Sequence, residues 1–590
     1  MTITSCRRWV VLSALLTTLS ACETSPLQRD DSEALRERVI HANRQQLRAV
    51  TDTPEIQVTL PPADSYLEED PRRREQLDEI SGPLRLQDVP LEMGVGLDDQ
   101  PSPTATLTLQ QAVQRAARHN LDVAIAQITP AIGEAELVAA EAIFDAVIFA
   151  DASLSNTYRP TPVTVIDNVP VGRPTQRSDN LGLQTGIRKP LEAGGEISVS
   201  TGFDYADNRT PDLDVTPDPS WTSNVRIDLT QPLLRNFGNQ VNRAQILIAR
   251  NTLRREALNL HGQLLSTIAE TEAAYWQLVF ARHRLAVQQQ LLEMTITTRD
   301  RLRQREVLDV GPVQMAQAQA FVERRRAEMI SARRAVRQAS DELKRLMNDP
   351  TLPLADETLL VPADSPIELA VEFSLLDTIT SALQNRPEIR QALLAIDDAS
   401  IRQTVAENQR LPLLNLNAGV QFTGLEGDLG RSYDELGEAE FIDYLLGFQF
   451  EQPIGNRFAE AEMRSARLER QLSVAQYRRS VQDIVSASKS AMRELRTGYE
   501  LIGLNRSYRR ASAENLRALL EREEAGEALT PEFLNLKLDT QQRLADAELL
   551  ELQSIIDYNI SLVRLQQIKG TLLEQNQIDL VWPEDMFAIE

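Results

Sequence analysis

The chain of 590 residues has two cysteines, Cys6 and Cys22, and four histidines. Both cysteines lie near the start, so the body of the chain can build neither a disulfide framework nor a cysteine-based metal site. His41, His119, His261 and His283 are too scattered to pair as ligands on one helix face. Aromatic residues are only 5% of the chain, while Ala, Leu, Gln, Arg and Glu are abundant. That balance favours long helices over a large globular core. A basic surplus is missing too. The formal net charge of −24 excludes nucleic acid as a partner, since phosphate recognition needs a basic face. There is no P-loop, HExxH, GxSxG or Gly-rich dinucleotide fingerprint. Asp and Glu are plentiful but fall on heptad surfaces, so no catalytic residue, metal or cofactor is expected.

The N-terminus carries a targeting pattern. Arg7 and Arg8 precede an apolar stretch, residues 9–19, too short to cross a bilayer. Leu19-Ser20-Ala21-Cys22 then has the form of a bacterial lipobox, cut before Cys22. Acyl chains on Cys22 would hold the mature protein to a membrane, because more than one chain makes anchoring stable. Residues 1–21 are expected to be a signal peptide, and 22–103 an acidic, Pro-containing, solvated strap.

The rest is organised around residues 231–347. The stretch opens with Gln231-Pro232-Leu233-Leu234-Arg235-Asn236-Phe237-Gly238 and then runs to about 305 with one Gly and no Pro. Apolar residues recur at sevens: Ile246, Leu253, Leu260, then, after a stutter, Leu278, Leu285, Leu292. The chain turns near Asp309-Val310-Gly311-Pro312 and returns with Met329, Val336 and Leu343. Two long antiparallel helices are predicted, a coiled-coil hairpin whose seam needs further copies to be covered.

A second copy follows. At an offset of 266 residues, Val113, Ala116, Asp122 and Val123 fall on Ile379, Ala382, Glu388 and Ile389. Gln452-Pro453 mirrors Gln231-Pro232, and a second long run turns at Glu523-Glu524-Ala525-Gly526 and restarts at Thr530-Pro531. Thr530 is a good N-cap with Pro531 at the first helical position. The expected order in each copy is short helices, with a break at Thr129-Pro130 in the first, then strands, a QP turn, a long helix, a tip and a return helix. The predicted boundaries are 104–348 for the first repeat, 349–372 for a linker, 373–570 for the second repeat and 571–590 for a tail. Strands are predicted at 146–159, 181–187, 196–204 and 221–230, then at 413–422 and 444–450, with a loop rich in Gly, Asp and Glu between the last two. Short turns on one side and long loops on the other fit an outer-membrane barrel. One copy has too few strands to close it, and open edges cannot face lipid, so closure must come from further copies.

These features resemble the outer-membrane efflux protein family, the TolC family. The resemblance rests on the opening at residues 107–120, the Gln231–Gly238 motif, Ala274-Tyr275-Trp276-Gln277-Leu278, and the second tip, all in order and twice over. It implies a mixed α and β membrane protein: a long coiled-coil α-helical barrel plus a transmembrane β-barrel shared between protomers of a homotrimer. It also implies a passive exit duct in the bacterial outer membrane, docking to a periplasmic adaptor and an inner-membrane transporter in efflux or type I secretion. The helical tips would do the docking or gating, here Asp309, Gly311, Pro312, Glu523, Glu524, Gly526, Thr530 and Pro531. Two departures stand out. Residues 306–309 replace a Gly usual at the first tip, and the first repeat offers four strands where the family usually has two. The acids Glu521, Glu523, Glu524 and Glu527, opposed in their turn by Arg522, are expected to make a cation-preferring rim. The rival reading is a non-conducting periplasmic coiled-coil adaptor or structural lipoprotein.

Overall fold

The computed structural model describes residues 71–81, 91–97, 99–160, 175–209, 215–304, 311–528 and 530–579, with Arg48 and parts of the 162–171 loop. Cys22 and Asp309 lie outside the described residues.

Two helices set the scale. α4 (Ala244–Gln304) has 61 residues and α9 (Arg457–Glu524) has 68, so they span about 92 and 102 Å. The heptad residues named above are buried along their seams, save Leu253, which is half-buried. Each long helix reverses into a shorter one, α5 (Pro312–Met347) after α4 and α10 (Pro531–Lys569) after α9. Below the sheet lie α3 (Leu121–Glu141), packed on α4, and α7 (Pro387–Asn408), packed between α4 and α9. Four helices therefore stand abreast twice: α3–α4–α7–α9 nearer the sheet and α5–α4–α10–α9 nearer the turns. Each half runs from two short helices through strands to a long helical hairpin, with four sheet strands in the first half and, in the second, two with a helix between them.

The short helices α2 (Leu109–His119) and α6 (Leu375–Asn385) begin at N-caps. Thr108 and Ser374 accept from the amides of Gln111 and Asp377 at 3.2 and 3.3 Å. Val113, Ala116 and Val123, and their counterparts Ile379, Ala382 and Ile389, are all buried. The expected break at Thr129-Pro130 does not occur: α3 continues through Pro130. The interruption falls instead at Asn120, whose carboxamide oxygen accepts from Asp122 and Val123 and so ends one helix and starts the next. Pro130 removes only one amide from an otherwise intact ladder, within the range packing along α4 offsets.

Two other expectations change. The segment 349–372 is more than a linker, because β6 (Leu359–Pro362) pairs in parallel with β1 (Thr104–Leu107). Tyr275 pins that ribbon: its hydroxyl accepts from the amides of Ala363 and Asp364, both at 3.1 Å, and lies 2.8 Å from Asp364 Oδ2. The strap is not wholly solvated either. Helix α1 (Pro71–Ile80) docks on the outer part of the second hairpin. Leu77 is buried with Ala513, Leu516 and Leu544, and Arg509 holds Asp78 at 2.8 Å and Glu551 at 2.5 Å.

Six strands form one antiparallel sheet: β2 (Val147–Pro160), β3 (Thr175–Pro190), β4 (Glu196–Asn208), β5 (Ser220–Pro232), β7 (Leu413–Glu426) and β8 (Phe441–Glu451), in that spatial order. At 11–16 residues each, they are long enough to cross a bilayer when tilted. The register separates the faces cleanly. One rung reads Ile148, Ile187, Val199, Ile227, Val420, Tyr444. The next, pointing the other way, reads Phe149, Gly186, Ser200, Arg226, Gln421, Asp443. The predicted strands are thus present, some extended, and both hairpins of the first half belong to the same sheet as the strands of the second. The region between β7 and β8, expected as a loop, contains helix α8 (Leu429–Glu438), capped by Asp428.

Candidate tip and membrane sheet

The QP motif joins sheet to helices. The side chain of Gln231, buried at the end of β5, donates to the carbonyl of Ala193 at 3.3 Å and so holds the short turn between β3 and β4. Gly194 has φ +93°, and a Cβ there would meet the Asn236 carbonyl at 2.2 Å, so only glycine lets the turn close on the motif. On the other side the Asn236 amide donates to Asn408 Oδ1 at 2.7 Å, tying the loop to the end of α7.

At the far end the two hairpins meet. Leu302 and Ala318 from the first pack with Leu519, Phe533, Leu534 and Leu538 from the second. In the first hairpin, Gly311 precedes Pro312, the first residue of α5, and its amide donates to Gln314 Oε1 at 3.0 Å. In the second, α9 ends at Glu524 and Gly526 takes φ +91°. The Glu527 amide reaches back to the Arg522 carbonyl at 3.2 Å, closing the helix end through the left-handed glycine. Thr530 Oγ1 accepts from the Phe533 amide at 3.2 Å, with Pro531 at the first helical position. Gly311, Pro312, Glu523, Glu524, Gly526, Thr530 and Pro531 are therefore gathered at one end of the molecule.

The charges there are not the free acidic rim that the sequence suggests. Glu523 lies 2.5 Å from Lys537 and 3.6 Å from Arg301, with side-chain exposures of 9% for Glu523 and 2% for Lys537. Burial holds Lys537 below the ordinary lysine range, with Glu523 partly opposing that shift. Glu521 pairs with Arg517, and Glu527 with Arg522 at 2.5 Å, whose guanidinium also sits 5.5 Å from the centre of the Phe533 ring. Glu524 is exposed. Lys537 and Arg301 were invisible as partners because they lie 14 residues further on and on the other hairpin; only the closed geometry brings them to Glu523.

On the sheet, Trp221 stands in an aromatic group with Phe203 and Tyr205, ring centres 5.4 and 4.8 Å away, at the end of the apolar face remote from the helices. Aromatic residues at that depth match a membrane-interface girdle. α8 covers the same end. The Ser223 hydroxyl donates to the Ser432 carbonyl at 2.8 Å, and a Cβ on Gly424 would fall 2.1 Å from that carbonyl, so the helix backbone rests directly on the strand.

The geometry is thus a six-stranded sheet with one apolar face, carried on helical hairpins whose long arms span about 92 and 102 Å. Residues 378–571 match the family model described as outer membrane efflux protein. Outer membrane protein TolC of Vibrio cholerae serotype O1 is 27% identical over 209 residues, 34% of this chain and 45% of that protein. The match thus spans less than half the length of that relative. The fold resembles the Campylobacter jejuni CmeC outer membrane channel, with TM-score 0.56 and 16% identity over 84% of this chain and 95% of that one. It also resembles the outer membrane protein VceC of Vibrio cholerae, with TM-score 0.55 and 15% identity over 78% and 96%. For the open state of the Neisseria gonorrhoeae MtrE channel the TM-score is 0.53, with 18% identity over 79% and 89%. Residues 378–571 thus carry the outer membrane efflux protein match, and the chain shares its fold with the TolC-like channels. Of these, CmeC and MtrE are named as outer membrane channels, and TolC and VceC as outer membrane proteins.

Proposed function

We propose that the protein is a homotrimeric exit duct of a tripartite efflux or type I secretion system, anchored to outer-membrane lipid through Cys22. The observation that carries the assembly is that each copy has two unlike, uncovered flanks. Along one, α3 exposes Leu121, Ile125, Ile128 and Ile132 at helical spacing; along the other, α9 exposes Phe458, Leu468 and Leu472. α3 with the single turn that follows it, Leu121–Phe144, is the stretch that by length and composition could cross a membrane. Its packing along α4 and its Glu141–Arg250 pair at 3.8 Å support a helix-to-helix seam instead. Unlike flanks join head to tail and close into a ring.

The duct conducts passively, and energy comes from the inner-membrane transporter. The gathered hairpin ends, with Gly311, Pro312, Glu523, Glu524, Gly526, Thr530 and Pro531, form the periplasmic tip that meets an adaptor or closes the duct; Asp309 is assigned to the same role from the sequence alone. A non-conducting adaptor would have no use for a six-strand apolar face. Mass measurement in detergent should return three chains, and planar bilayers should show stepwise conductance. A stable monomer, or a trimer that never conducts, defeats the reading.

A further inference from the structure

We infer that every copy gives all six strands to the membrane barrel and is sealed to the next copy by β2 against β8. With the trimeric state proposed above, the wall has 18 strands, not the 12 that two strands per repeat would make.

Three observations meet here. First, the apolar rung from Ile148 to Tyr444 crosses all six strands without a gap, so no hairpin is set aside from lipid. Second, β2 and β8 are the two open edges, and in a six-strand antiparallel meander they run in opposite directions. Joining β8 of one copy to β2 of the next continues the antiparallel alternation around the ring. Bilayer hydrocarbon offers no other partner for those edge amides and carbonyls. These edges also sit on the same flanks as the bare helix faces, since β2 follows α3 and β8 precedes α9.

Third, the widths agree. Strands spaced about 4.8 Å and tilted about 40° each take up roughly 6.3 Å of circumference, so six span about 38 Å. The four helices abreast below, at 8–10 Å each, span about 32–40 Å. Four strands would cover only about 25 Å and leave the sheet narrower than its own support. Eighteen strands give a circumference of about 113 Å and a backbone diameter of about 36 Å, wide enough for an aqueous channel.

The test uses the full chain in outer-membrane vesicles, with background labelling of the parent chain subtracted. Neighbouring positions on the first hairpin are changed one at a time: Ala150→Cys and Asp151→Cys on β2, Leu183→Cys and Gln184→Cys on β3. A membrane-impermeant maleimide should label the Asp151 and Gln184 variants at least 10-fold faster than their neighbours. Equal rates at both members of each pair would mean a hairpin outside the wall and would overturn the inference. In a second arm, Ala152→Cys is combined in turn with Tyr444→Cys, Leu446→Cys or Phe448→Cys and oxidised. At least one combination should give a denaturant-stable ladder ending at three chains. No ladder in any combination removes the β2–β8 seam. A ladder ending at another number keeps the seam but refutes the trimer and the count of 18.

Discussion

Replacing Glu523 by Gln tests the tip most directly. The change keeps the shape of the side chain but strips the anionic partner from Lys537, whose ammonium is almost wholly buried. Leaving one half of a buried pair behind costs about 3–5 kcal/mol, because the other charge has lost its compensation. At 1.36 kcal/mol per factor of ten, that is an increase of about 150- to 5000-fold in local opening. Hydrogen exchange of amides in residues 515–540, in detergent, reads that opening directly. The opposite change, Lys537→Met, should cost less, because Glu523 keeps Arg301 at 3.6 Å. The double variant should be more stable than Glu523→Gln alone, as expected when an ion pair gives way to an apolar contact. pH gives a further check. Burial already holds Lys537 below its ordinary value, and losing Glu523 removes what opposed that shift. The folded tip then binds fewer protons than the unfolded one between the folded pKa and about 10.4, so stability rises with pH across that window. The deficit of Glu523→Gln should therefore shrink towards pH 10. Unchanged exchange in the variant, or a deficit independent of pH, would refute the buried pair.

Glu548 on α10 is pushed up to about 8 by burial, with Arg509 opposing and Glu551 adding to the shift. A carboxyl with a raised folded pKa contributes stability below about pH 4.5 that is lost as pH rises through 8, at up to about 1.36 kcal/mol per unit. Melting temperatures should fall over that range for the parent and fall less for Glu548→Gln. Tyr275→Phe deprives the amides of Ala363 and Asp364 of their acceptor. It should cost about 1–3 kcal/mol, seen as a lower melting temperature and faster exchange at residues 361–366. Cys22→Ser should abolish incorporation of radiolabelled fatty acid; persistence of the label would remove the lipid anchor.

The helices were readable because heptads state their own burial. Leu278, Leu285 and Val336 sit where the spacing puts them, fully buried. The strands were readable because each alternates, and only their full length and number in one sheet awaited the register. What could not be read depends on contacts between distant segments. Helix α8 hid in a Gly- and acid-rich stretch, although Asp428, which accepts from the amides of Gly430 and Arg431, was a usable capping signal. Pro130 looked like a stop because its local cost is visible in the sequence and the compensating packing is not. The strap looked solvated because its 18 acids outnumber its 9 basic residues over positions 23–103, which reads as a charged, water-facing segment. Leu77 docks only because α9 and α10 together present an apolar recess flanked by Arg509. Glu523 looked like a rim charge because its cations come from two other helices.

The unbroken course of α4 has a mechanical consequence. A helix of about 92 Å anchored at the Gln231–Gly238 junction is a lever with its fulcrum at the sheet. A tilt of about 5° there would carry its far end sideways by about 8 Å, on the order of one helix diameter. Small adjustments among Gln231, Ala193, Asn236 and Asn408 would thus become large excursions at Leu302 and, through the shared apolar cluster, at Phe533 and Leu534.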